Sequence, residues 1–106
     1  MQDVKPELGA VVISKAGRDA GRCFVVLEIV NDEYVLITDG DLRKVQKPKK
    51  KKIKHLHVKP VMIPLVKQAL AEGRKPQDWE IRQHLQSLGY NAKEKAFEEK
   101  KEGSLV

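Results

Sequence analysis

Aromatic residues make up only 5% of this chain, serine and threonine together occur four times, and cysteine occurs once. A single cysteine, Cys23, excludes an internal disulfide, and its place at the head of an apolar run suits a small buried hydrophobe. Ser14, Thr38, Ser87 and Ser104 have no base at a recognisable spacing, so no nucleophilic constellation is visible and no enzyme activity or cofactor is expected. The barrel-region carboxylates Asp32, Glu33, Asp39 and Asp41 sit at turn positions and read as turn-forming and solvated groups. No apolar run approaches the ~18 residues of a membrane span, and residues 1–7 lack the apolar stretch of a secretory signal. A cytoplasmic chain with no membrane partner is the expectation.

What the sequence has in excess is positive charge. Its 106 residues carry 21 Lys/Arg against 15 Asp/Glu, a formal net charge of +6, which points to a polyanionic partner. The charge is uneven: residues 1–60 hold 13 Lys/Arg against 8 Asp/Glu, and residues 61–106 hold 8 against 7. Residues 43–59 contain nine cations (Arg43, Lys44, Lys47, Lys49, Lys50, Lys51, Lys52, Lys54 and Lys59) and no acid. These amines repel one another unless an anion neutralises them; a solvated loop or a polybasic arm is the plainer alternative, and Lys49 to Lys52 alone do not specify RNA.

The stretch around which the chain is organised is residues 9–28. Val11, Val12 and Ile13 form one β-branched run and residues 23–30 a second, with small and polar residues between, the pattern of a hairpin. Gly17 and Gly21 allow positive φ or close approach at its tip, while Lys15, Arg18 and Arg22 bring charge there. Asp19, the odd acid in this loop, reads as structural, accepting backbone N–H bonds or pairing with Arg18 or Arg22. Gly9, the loop Ser14-Lys15-Ala16-Gly17-Arg18-Asp19, Gly21-Arg22 and Val25-Val26 together resemble the KOW motif. The likeness is greatest to the KOW proteins of the archaeal and eukaryotic large ribosomal subunit, especially protein fourteen of that type, and their stand-alone bacterial relatives. Ala20 departs from the family, where a Lys is frequent. The resemblance covers roughly the first sixty residues. It implies an SH3-like barrel and RNA binding.

The remaining chain supplies the other strands. Residues 1–8 read as a poorly ordered arm. Asn31-Asp32 marks a hairpin turn into residues 33–38, and Asp39-Gly40 a second turn into a fourth strand at 42–45, with Pro48 ending regular pairing. A fifth strand is expected at 53–58, placing His55 and His57 on one face, and Pro60 to Pro64 read as a hinge. Five short strands with few aromatics suggest a small curled sheet or barrel. Beyond the hinge, Leu65, Val66, Ala69 and Leu70 share a helical face capped by Gly73. A second helix has Pro76 at its first position and Ile81, Leu85 and Leu88 on one face with Trp79 off it, and Gly89 closes it. Asn91 and Glu94 have capping-box spacing for a third helix at 92–102, which offers only Ala96 and Phe97 for burial and is expected to fray.

Two other chemistries fit poorly. The glycine-rich segment 17–22 has three residues between its glycines and a following strand, where a nucleotide-binding P-loop needs four and a helix. His55 and His57 lack Cys or carboxylate partners at metal-ligand spacing, and they read as flanks of the basic surface. Phe24 and Tyr34 read as packing residues, with no strand-spaced pair of aromatics for stacking splayed bases. Structured RNA, met by shape and backbone, is therefore the expected partner.

The expected fold is mostly β with an α appendage: a five-stranded SH3-like barrel over residues 1–60 and a helical extension over 61–106. The expected function is docking on structured RNA, large-subunit ribosomal RNA by the resemblance. The expected contacts are Lys15, Gly17, Arg18, Gly21, Arg22, Arg43, Lys44, Lys47, Lys49, Lys50, Lys51, Lys52, Lys54 and His55. The helical tail packs on the barrel or meets a ribosomal protein, and the chain is a monomer associated with ribosomes. The alternative is a protein-interaction module of a transcription or translation factor, which KOW barrels also form.

Overall fold

In the computed structural model, which describes residues 5–90, five strands form one antiparallel sheet and two helices follow. The strands are β1 (Ala10–Ser14), β2 (Cys23–Ile29), β3 (Tyr34–Thr38), β4 (Lys49–Lys52) and β5 (Leu56–Met62), and the helices α1 (Pro64–Ala71) and α2 (Asp78–Ser87). Strand order is β4-β3-β2-β1-β5: a meander whose last strand crosses back to pair with the first. The sheet is not closed, since β4 and β5 lie at its two ends, linked in sequence by a 3-10 turn at Ile53–His55. Register shifts between Ala10 and Val12 and between Val26 and Glu28 bend it.

Both faces of the central strands are buried, which accounts for their continuous rather than alternating apolar runs. Val12, Phe24, Val26, Val35, Ile37 and Leu56 pack together on one face. Val11, Val25 and Leu27 pack on the other with Val45, Ile63, Val66, Ile81 and Leu85, so both helices share a core with the sheet. Fully burying side chains such as Ile81 and Leu85 contributes about 1.5–3 kcal/mol each.

Several expected elements move. Residues 42–45 are a loop and not the fourth strand, because Asp39 Oδ1 accepts the N–H groups of Asp41 and Arg43, both at 2.9 Å, and the Thr38 hydroxyl donates to the Arg43 carbonyl. Those groups are satisfied locally and have no ladder to join. The lysine run itself forms β4, with Lys49, Lys50, Lys51 and Lys52 facing Ile37, Leu36, Val35 and Tyr34. Lysine is a weak strand former but a common guard of an exposed sheet edge. The fifth strand starts at Leu56, three residues later than expected, and runs through Pro60, which an end strand tolerates.

No hinge interrupts this run: Pro64 is at the start of α1, and the Ile63 N–H donates to the Gly9 carbonyl at 2.8 Å. In the N-terminal arm, Pro6 is buried and Glu7 accepts the Ala10 N–H at 2.9 Å, so this part is ordered onto the sheet. Pro76 precedes α2 by two residues; its N-cap is Gln77, whose N–H donates to the Glu80 carboxylate at 2.8 Å. Ile81 and Leu85 are buried as expected of their face, whereas Leu88, just past the helix, is 46% exposed. The third helix expected at 92–102 lies outside the described residues.

Candidate nucleic-acid interface

The loop between β1 and β2 is closed by its own backbone. The Ser14 N–H donates to the Arg22 carbonyl at 3.0 Å, the Gly21 N–H to the Ser14 carbonyl at 2.8 Å, and the Arg22 N–H to the Asp19 carbonyl at 2.9 Å. Gly17 and Gly21 have φ of +82° and +86°, a region that side chains other than glycine rarely enter. Lys15, Arg18 and Ala20 point outward at this tip, and Asp19 is buried.

Asp19 pairs with a residue far along the chain, not with Arg18 or Arg22. Its Oδ2 accepts from Nε and Nη2 of Arg43, at 3.2 and 3.0 Å. Arg22 reaches the other way: its Nε donates to Asp39 Oδ2 at 2.6 Å and its Nη2 to Asp41 Oδ2 at 3.1 Å. Two loops distant in sequence thus exchange ion pairs, each giving an arginine to the other's acids. Asp39 is completely buried and is a keystone of the 38–45 loop, beyond the turn-forming and solvated role its position suggests.

The crossed pairs bring the two basic segments together. A further tie is Lys51, whose Nζ donates to the Ala16 carbonyl at 2.9 Å and joins β4 to the hairpin loop. Lys50 and Lys52 instead lie over the Tyr34 ring, with Nζ at 4.7 and 5.9 Å from its centroid, within cation–π range. Lys15, Arg18, Lys44, Lys47, Lys50 and Lys54 are exposed, and Lys49, Lys52 and His55 half-buried. Arg22 and Arg43 are engaged within the chain.

His55 lies in the 3-10 turn and His57 in β5, so the common strand face expected of them does not form. Among the described residues no group of three His, Cys, Asp or Glu side chains is placed to hold a metal ion. No helix among them is long and apolar enough to cross a membrane. Burial pushes the Cys23 thiol above its ordinary pKa, with nearby Lys59 and Arg22 pulling weakly the other way. Sequence reasoning missed the tie of Asp39 to Arg22 and the stacking of lysines on Tyr34, both between residues whose proximity has no signature in local sequence, whereas the Asp39 bonds to the N–H groups of Asp41 and Arg43 are a local turn pattern that its position could have shown.

No protein-family model matches the chain. It is 38% identical over 50 residues to the large ribosomal subunit protein eL14 of Desulfurococcus amylolyticus, covering 47% of this chain and 52% of that protein. It is 35% identical over 75 residues to the large ribosomal subunit protein eL14 of Hyperthermus butylicus, covering 63% of this chain and 76% of that protein. The chain thus spans about half the length of the first relative and about three quarters of the second.

Proposed function

Because the chain belongs to the family of large ribosomal subunit protein eL14, we propose that it is a ribosome-associated, cytoplasmic, non-enzymatic protein that docks on structured ribosomal RNA of the large subunit. The observation that carries this reading is the joining of two basic segments by Asp19–Arg43 and by Lys51–Ala16, which sets the amines of the hairpin loop beside those of β4. Lys15, Arg18, Lys44, Lys47, Lys49, Lys50, Lys52 and Lys54 contact phosphates, with His55 at their margin. Gly17 and Gly21 let the backbone come close, while Arg22, Arg43 and Lys51 hold the frame. The strand order, with β5 returning to β1, supports an SH3-like barrel as the scaffold.

A second reading, a protein-interaction module acting as a monomer within a larger assembly, draws on Trp79 and Leu42, which are 55% and 60% exposed on the helical side. Sedimentation of the tagged protein on a sucrose gradient separates the two. RNA docking predicts migration with the large subunit that weakens as salt rises and disappears on nuclease treatment. Reversing the charge of Lys49 and Lys50 releases an RNA-bound protein, whereas changing Trp79 to Ala releases one held by protein contacts. A protein that stays at the top of the gradient in every condition overturns ribosome association.

A further inference from the structure

Beside the base of the hairpin loop, a groove of about 580 Å³ runs along the 3-10 turn and the start of β5, a size within the usual range for small-molecule sites. Its walls combine apolar surface from Ile53, Leu56 and Val58 with the amines of Lys15, Lys52 and Lys54. Ile53 and Val58 are half-buried and pack on the core beneath, so they offer a firm apolar floor rather than loose side chains. The turn is held from both sides by backbone bonds: the Ile53 N–H donates to the Glu33 carbonyl and the Lys15 N–H to the His55 carbonyl, both at 2.8 Å. Glu33 and the exposed pair formed by Lys5 and Asp32 at 3.5 Å also line the groove.

We propose that this groove seats a single unstacked nucleotide of the bound RNA, an inference that rests on the RNA-docking reading above. A phosphate by itself needs amines and has no use for the apolar floor, and a purely apolar ligand has no use for the amines. A nucleotide matches both, since its base presents flat apolar faces with polar edges while its phosphate carries the charge. The base lies against Ile53, Leu56 and Val58, its edge N–H groups meet the carboxylates of Glu33 or Asp32, and its phosphate meets Lys52, Lys54 or Lys15. A base stacked inside a duplex cannot enter, so the occupant is a bulged or looped-out residue.

The test measures fluorescence anisotropy of the full chain with two RNA hairpins identical except for one bulged adenosine in the stem. The bulged hairpin binds about fivefold tighter or better, a gain that removing roughly 40 Å² of apolar base surface from water supplies. Val58→Asn, which puts a neutral polar group on the floor and leaves the charge of the surface as it was, abolishes that preference and leaves the affinity for the plain hairpin unchanged. Equal affinity of the wild-type protein for both hairpins overturns the groove assignment and leaves RNA docking standing. If neither hairpin binds, RNA docking by these surfaces fails, and the groove is judged by amide chemical shifts. Changes at residues 53–58 with adenosine monophosphate that exceed those with inorganic phosphate at equal ionic strength uphold it, and identical changes sink it. An acidic peptide that displaces adenosine monophosphate and binds more tightly makes the occupant a protein segment and overturns the proposal. The same titration serves if Val58→Asn does not fold.

Discussion

Asp19 in the β1–β2 loop accepts two hydrogen bonds from Arg43, 24 residues later, and so ties the tip of the first hairpin to the loop that leads into the lysine strand. The tie is mirrored by Arg22 on Asp39, so the two loops form one rigid unit. Rigidity matters at such a surface, because amines fixed in place bind phosphates without first being ordered.

The two halves of this lock differ in burial, and their removal should differ in cost. Asp39 is fully buried and Arg22 is 17% exposed, so Arg22→Ala strands a buried carboxylate and is expected to cost about 3–5 kcal/mol. Asp19 keeps 7% exposure and Arg43 31%, so water reaches this pair more readily, and Arg43→Ala is expected to cost less, about 1.5–3 kcal/mol. Urea denaturation of the two variants checks the ranking; equal losses would mean that Asp39 finds another donor when Arg22 is gone.

Gly40 and Gly21 both have positive φ, yet they are constrained differently. A Cβ on Gly40 would lie 2.3 Å from the Asp78 carbonyl oxygen, at the point where α2 meets the 38–45 loop, whereas one on Gly21 would meet nothing within 4 Å. Gly21→Ala therefore carries the backbone penalty alone, about 1 kcal/mol, while Gly40→Ala must also displace the helix and is expected to lose at least about 3 kcal/mol. Thermal melts read this difference directly. In Gly21→Ala the added Cβ stands in the open space where the backbone is proposed to approach RNA, so affinity for RNA is expected to fall by more than the small loss of stability accounts for.

These residues also show how far the fold is legible in the chain. Val11 to Ile13, Cys23 to Ile29 and Tyr34 to Thr38 announce strands through β-branched and aromatic runs, Asn31 announces the turn between the second and third, and Gly40 the turn after the third. The lysine strand does not announce itself. Its residues have low strand propensity, and only the row of partners offered by β3 makes them extended, a tertiary cause that a local pattern cannot contain. The basic surface was legible as composition, in Lys49 to Lys52 and the hairpin loop. Which cations remain exposed was not, because the partners of Arg22 and Arg43 lie 17 to 24 residues away.

Cys23 gives a pH prediction. Burial raises its pKa in the folded chain, so the folded state holds the thiol proton more tightly than the unfolded state does. Its contribution is constant below the unfolded pKa and is lost as pH rises from there through the higher folded value. Wild-type stability is expected to drop as pH rises past the ordinary thiol value of 9.0 by more than that of Cys23→Ala, once the smaller core volume is allowed for by comparing each protein with itself at neutral pH. Parallel urea midpoints across this range, with the same pH dependence in both proteins, would remove Cys23 as a cause.

Salt dependence separates cations that touch phosphate from cations that hold the frame. Each amine that displaces a counterion adds about 0.7–0.9 to the slope of log affinity against log salt. Replacing Lys15, Lys44 and Lys47 by Gln is expected to lower that slope by about 2–3 and to leave stability nearly unchanged, since all three are exposed. Arg43→Gln is expected to lower stability and affinity while leaving the slope where it was, because the Arg43 charge is already neutralised by Asp19. Affinity measured on large-subunit RNA across a salt series checks both. A slope that falls with Arg43→Gln as it does with the lysines would place Arg43 on the phosphates in the complex, with the Asp19 pair opening on binding.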